Sequence, residues 1–378
     1  MTALRTLGAI FGGVFVLVTS SSVLRTLVVP GGRAGLALRS VDRTMDALFR
    51  LAAGTTRTAE SRHHLLQAQA PVMLAAVLVV WLLGYLLAFG LLLWPQTGDF
   101  GLAVREAGSS LFTLGFASTR LSGATVVDLV AGATGLVVVA LQIAYLPTLY
   151  ASFSRRETEV TLIGVRAGHP PWGPELLARN QMGSTLDDLP EFYRQWERWA
   201  ADVAESHASY PILLRFRSPD PRSSWLIALL AVMDSAALLH AAAPTQCPLQ
   251  ARLSLRMGID CLRQLATTIG IPFDDDPRPD MPITLSRAEF DEGLARRAEA
   301  GFVTERDPDQ SWRHFSGWRV NYEAIAYRMA SAIDAVPARW SGPRRANVPP
   351  VTQRRFVNRT PDNPEGTAGP FTGPSTAL

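Results

Sequence analysis

Gly108-Ser-Ser-Leu-Phe-Thr-Leu-Gly-Phe-Ala-Ser118 is a short polar segment held between two long apolar runs, Val72 to Trp94 and Thr125 to Tyr150. The first run has 23 residues and no charge, about 35 Å as a helix, and the second about 26, near 39 Å. Each can cross a bilayer. Only about 30 residues separate them, too few for a folded domain and suited to a chain that enters the bilayer and returns. Leu102 to Thr113 has helical, amphipathic spacing over about 12 residues, too short to span, and reads as a half-helix. A short helix on the outer surface is the alternative. The polar Gly108-Ser109-Ser110 favours re-entry, because buried hydroxyls can meet backbone or water. The half-helix would then direct its negative dipole end into the membrane, which favours cations there.

A half-helix followed by Thr113-Leu-Gly-Phe-Ala117 resembles the selectivity filter of potassium channels, whose usual form is Thr-Val-Gly-Tyr-Gly. Thr113 and Gly115 match, Leu114 takes the valine place, and Phe116 replaces tyrosine. Ala117 stands where the second glycine belongs, and Ser118 where an acid often follows. The resemblance covers roughly residues 72 to 152. Tyr145-Leu-Pro-Thr-Leu-Tyr-Ala-Ser-Phe-Ser-Arg-Arg-Glu157 and the later Gly-His-Pro-Pro segment are similar to a bacterial group of two-transmembrane-type potassium-channel proteins with a helical C-terminal domain. The resemblance implies a homotetramer in which each subunit contributes one 113–117 loop. Its backbone carbonyls would replace the water around a K+-like monovalent cation, with no other cofactor or bound metal. The departures imply a cost. A residue with a Cβ pays about 1–2 kcal/mol for a left-handed conformation, or roughly 4–8 kcal/mol over four subunits. Ala117 therefore favours a different backbone path at the outer mouth, and Phe116 lacks a bracing hydroxyl. Such a pore is less selective, or does not conduct.

The composition agrees with a membrane protein that carries a large water-facing part. Apolar residues make up 48% and charged residues 18%, low for a soluble chain of this length. Almost all clean apolar runs lie before Phe153. Every basic residue is Arg, a compositional bias, and the net charge of +3 fits a place beside an anionic membrane. No basic-aromatic stripe points to nucleic acid. Cys247 and Cys261 are far from any His pair with metal-ligand spacing, which excludes a disulfide scaffold and a zinc site.

Leu7 to Val29 is a first apolar run interrupted by Thr19-Ser-Ser-Ser22. A signal peptide is one reading; an uncleaved span is favoured, because the apolar part continues to Val29 without a clear cleavage site. The loop from Gly31 to Ala70 carries Arg33, Arg39, Arg43, Arg50, Arg57 and Arg62 against Asp42, Asp46 and Glu60, so the positive-inside rule places it in the cytoplasm. The amino terminus is then outside and the chain after Tyr150 inside the cell inner membrane. Val41, Met45, Leu48, Phe49 and Leu51–Ala52 form an apolar stripe that suits a helix along the membrane or a linker helix packed on the C-terminal domain. Gly132 and Gly135 suit a gating hinge or ordinary close helix packing. Gln142 and Tyr145 share a face and would line an inner vestibule; Pro147 would kink or end the helix.

The expected fold is an all-α membrane protein with three transmembrane helices and a re-entrant loop. Its parts are an N-terminal span (1–30), a cytoplasmic amphipathic linker (31–70), the helix–loop–helix module (71–152), a helical cytosolic domain (153–338) and a disordered Pro/Gly-rich tail (339–378). In the cytosolic domain helices are expected at Glu175–Asn180, Asp188–Ser206, Ser224–Ala243, Leu249–Ile269, Arg287–Ala300 and Asp309–Val336, with Ser286-x-x-Glu289 as a capping box. The Trp312, Phe315, Trp318, Tyr322, Ile325, Met329 stripe reads as core. The run from Trp225 to Ala243 is apolar enough to span, yet Asp234 and His240 lie within it, and an ionised residue at mid-membrane costs about 3 kcal/mol. It reads as the buried central helix of the cytosolic domain. No nucleophile elbow, phosphate loop or zinc cluster is present, and Asp274-Asp-Asp276 lacks calcium-loop spacing. The expected activity is passive cation flux, not catalysis. The alternative is a non-conducting, channel-derived anchor or sensor whose cytosolic domain binds a partner. The bilayer, three further copies of the chain and an unknown cytosolic regulator are the expected partners.

Overall fold

In the first part of the computed structural model, residues 1–55 and 68–151 form one compact unit, and the second consists of residues 56–67 with 152–378. The structure describes residues 2–29, 36–56, 58–118, 122–181, 188–344, 350–354 and 358–367. The first unit contains helices α1 (Thr2–Leu27), α2 (Leu36–Gly54), α4 (Gln69–Thr97) and α5 (Phe100–Leu111) and most of α6 (Ser122–Ala167). Helix α3 (Ala59–Gln67) belongs to the second unit.

The polar interruption in α1 is explained by its partner. Helices α1 and α4 pack antiparallel, with Gly8 against Trp94, Gly12 against the Ala88 carbonyl and Gly84 against Thr19. Ser20 Oγ lies 2.9 Å from the Tyr85 hydroxyl, and Trp81 donates to Ser22 Oγ at 3.1 Å. The serines thus serve helix pairing, as small and polar residues do where no water competes. The N-terminal helix belongs to the same compact unit as most of the 71–152 module.

Two prolines leave their helices intact. Pro95 lies inside α4, which runs on to Thr97 and closes at the left-handed Gly98 (φ +75°), and Pro147 lies inside α6. The expected stop after Tyr150 is absent: α6 runs from Ser122 to Ala167, 46 residues and about 69 Å in all, so its last turns belong to the second unit. Arg156 is the reason. Its fully buried guanidinium donates to Glu157, His207 Nε2 and the Leu213 and Phe216 carbonyls, which ties the end of α6 to that core.

The second unit adds α7 (Gly173–Gln181), α8 (Leu189–Ser209), α9 (Trp225–Ala242), α10 (Leu249–Ile269), α11 (Arg287–Glu299), α12 (Pro308–Arg319) and α13 (Glu323–Ala332). Helix α9 is its axis, with every residue but His240 buried. Asp234 accepts from Arg319 at 2.5 Å and from the Tyr322 hydroxyl at 2.8 Å, so the acid that argued against a span is satisfied within protein. Ser286 and Glu289 form the capping box at the start of α11. The expected single helix from Asp309 to Val336 is two helices, broken at Val320–Tyr322. The break lets Arg319 and Glu323 turn inward together, where they pair at 2.9 Å. Phe315, Tyr322, Ile325 and Met329 are core residues, with Trp312 and Trp318 packed at its edge.

The expected disorder from 339 is corrected at its start. Trp340 is buried and stacks edge-on against Trp172, and Arg344 is held by the Ala335, Val336 and Ser341 carbonyls. Arg354 pairs with His169 as an isolated bridge, and Asn358–Thr360 and Asn363–Thr367 form a two-stranded antiparallel ribbon, β1 and β2. Low apolar content concealed two strong anchors, a tryptophan and an arginine. Residues 345–349, 355–357 and 368–378 of that expected tail lie outside the described residues.

Candidate functional site

Helix α5 is a short helix of 12 residues, begun by a side-chain cap and ended by a backbone turn. Asp99 caps its start by accepting from the Leu102 amide at 2.8 Å. Its end is a Schellman turn: the Leu114 amide donates to the Ser109 carbonyl at 2.8 Å and the Thr113 amide to the Ser110 carbonyl at 3.0 Å. That turn needs a left-handed residue. Thr113 occupies the place, at φ +55°. Glycine normally fills it, and a β-branched side chain there is strained by about 1–2 kcal/mol. The second left-handed residue is Gly115, at φ +69°, with open space where a Cβ would stand.

The 113–117 loop then returns along the same helix. The Gly115 amide also reaches the Ser109 carbonyl at 3.3 Å, and the Ala117 amide donates to Ser109 Oγ at 3.0 Å. Arg105 lies 5.6 Å from the centre of the Phe116 ring. Ala117 does not adopt a left-handed φ, whereas Thr113 does. Leu114 and Phe116 are 64% and 56% exposed.

Gly132 and Gly135 lie against the end of the half-helix. A Cβ on Gly132 would stand 3.2 Å from the Ser110 carbonyl oxygen, and one on Gly135 would collide with that of Leu111. These glycines permit close approach of α6 to α5. Gln142 and Tyr145, the two residues expected to line a vestibule, are both buried within the chain.

Sequence reasoning reached Ser109 and Ser110 as hydroxyls able to meet backbone, and passed over Asp128 and Glu106. Ser109 gathers the loop with its carbonyl and hydroxyl, Asp128 on α6 accepts from Ser110 Oγ at 2.7 Å, and Glu106 is buried against the same carboxyl group. The signal was available for Asp128: it is the one acid in the 125–150 run, and an ionisable residue within a span is a functional candidate by default. Among the described residues, no group of three or more His, Cys, Asp or Glu is placed to hold a metal ion.

The membrane-length apolar helices and the helical second unit define a multi-pass, largely α-helical membrane protein. No family model, curated protein or solved structure matches the chain.

Proposed function

We propose that the chain is the subunit of a pore-forming, K+-like cation channel of the cell inner membrane, a homotetramer with the 113–117 loop of each copy facing a shared axis. The observation that carries this reading is the exposed loop with left-handed Gly115, delivered by a half-helix between two membrane-length helices. Three spans, α1, α4 and α6, fit the make-up of the second unit: it contains both 56–67 and the chain after 152, which supports a topology with those segments on one side of the membrane. The Arg-rich flank makes that side cytoplasmic, with the amino terminus outside. The role is transport without catalysis, and the helical unit is where a cytosolic regulator would act.

Cation flux into liposomes tests it. Gly115→Ala forces a Cβ into a left-handed conformation and is expected to abolish flux; unchanged flux overturns the reading. A second reading is favoured by the Schellman turn, which fastens Thr113 and Leu114 to Ser109 and Ser110 and engages carbonyls at the helix end. On that reading the module is a non-conducting membrane anchor or sensor whose helical unit binds a partner. Barium-blocked currents from purified protein support the channel, and their absence supports the anchor.

A further inference from the structure

Three arginines of the second unit, Arg156, Arg297 and Arg319, are among the largest fully buried side chains of the molecule. Two are saturated. Arg156 has Glu157, His207 and two backbone carbonyls, and Arg319 has Asp234, Glu323, the Tyr327 hydroxyl and the Trp340 carbonyl. Arg297, on α11, has none among the described residues: Nε, Nη1 and Nη2 all lack a hydrogen-bond partner there. Its guanidinium carbon lies 3.9 Å from the centre of the Phe302 ring, a contact with one face that leaves the in-plane N–H edge unanswered. Tyr193 is the polar neighbour. Its hydroxyl is bound to Ser235 Oγ at 3.0 Å, and Ser235 in turn donates to the Val232 carbonyl. Burial lowers Arg297 to about 10, so the side chain is still a cation at neutral pH.

A fully enclosed cation with five unanswered N–H groups is among the most costly things a core can contain, and cores otherwise pair such groups. We propose that Arg297 anchors an enclosed oxyanion site in the helical unit, which takes a ligand bearing a carboxylate or phosphate group. The planar fork matches two oxygens of either group, and Phe302 covers one face of the guanidinium. The site lies outside the 113–117 loop and does not depend on how that loop functions. It gives the helical unit a way to sense a small anionic metabolite.

The test is a tryptophan-fluorescence melt of the full-length protein in detergent, with sodium phosphate, sodium acetate or sodium chloride at matched ionic strength. Phosphate or acetate is expected to raise the wild-type midpoint by about 5 °C or more at a hundredfold excess over Kd. Arg297→Met should lose that response, which separates binding from the general stabilisation that phosphate gives any protein. A response to phosphate alone assigns a phosphorylated ligand, and to acetate alone a carboxylate. Should Arg297→Met fail to fold, Arg297→Lys retains the charge without the fork and is expected to weaken the apparent affinity about tenfold. No wild-type response to either anion, an equal response in the variants, or an Arg297→Met protein more stable than wild type in every salt overturns the proposal.

Discussion

Helices α4 and α9 read alike as sequence and have opposite surroundings. Both are apolar enough and long enough to cross a membrane, yet the α9 window is 94% buried in protein, against 33% for the stretch containing α4, 17% for α1 and 22% for α6. Hydropathy measures what a helix avoids, not what covers it. Helix α9 is covered by its own chain, and its one acid meets Arg319 and Tyr322. Helices α1, α4 and α6 leave large apolar side chains such as Leu17, Val79, Leu129 and Leu136 exposed, as lipid-facing helices do.

The sharpest way to break this contrast is to remove the partner of Asp234. Arg319→Ala leaves a buried carboxylate unpaired and is expected to destabilise the second unit by about 3–5 kcal/mol, read from its denaturant midpoint. A loss below about 1 kcal/mol would mean that α9 does not lie in a protein core.

Acid is the next probe. Burial first, and then the neighbouring Arg156, hold His207 neutral well below its ordinary range; its ring accepts from Arg156 at Nε2, and Ser206 lies 3.0 Å from Nδ1. As the pH falls below 6.5 the unfolded histidine takes up a proton that the folded one refuses. The stability of the second unit is therefore full above that pH and declines below it. His207→Gln is expected to flatten this decline in pH-dependent melts, and an unaltered slope would assign it to other groups.

The smallest expected effect tests the other region. Thr113→Gly relieves the left-handed strain at the end of α5 and should stabilise the first unit by about 1 kcal/mol in a thermal melt. If the protein instead loses cation flux while gaining stability, the strain at Thr113 belongs to function.

Much of this architecture was legible because it follows from local rules. The apolar runs, the short helix between them, the Ser286 capping box and the burial of the Phe315–Met329 stripe all depend on spacing within a few turns. The continuation of α6 past Pro147 was not legible, since Arg156 finds its partners more than 50 residues away. The break between α12 and α13 was hidden for a similar reason: Glu323 receives the amides of Thr284 and Leu285 from a distant loop. At the candidate site, the sequence points to the 113–117 loop and the Ser109–Ser110 hydroxyls but not to Glu106 and Asp128, whose roles come from the meeting of α5 and α6.

By itself the amino-acid sequence determined that this is a helical, multi-pass membrane protein with a polar segment between two long apolar runs. Hydrophobic length and period suffice for that, because burial of apolar surface has no direction. Tertiary structure decided where the polar exceptions go: the serines of α1 to α4, Asp234 to Arg319, Thr113 to a strained helix cap, and Arg297 to a core with no partner of its own. Hydrogen bonds and charges are directional and short-ranged, so their partners are settled only once distant segments meet.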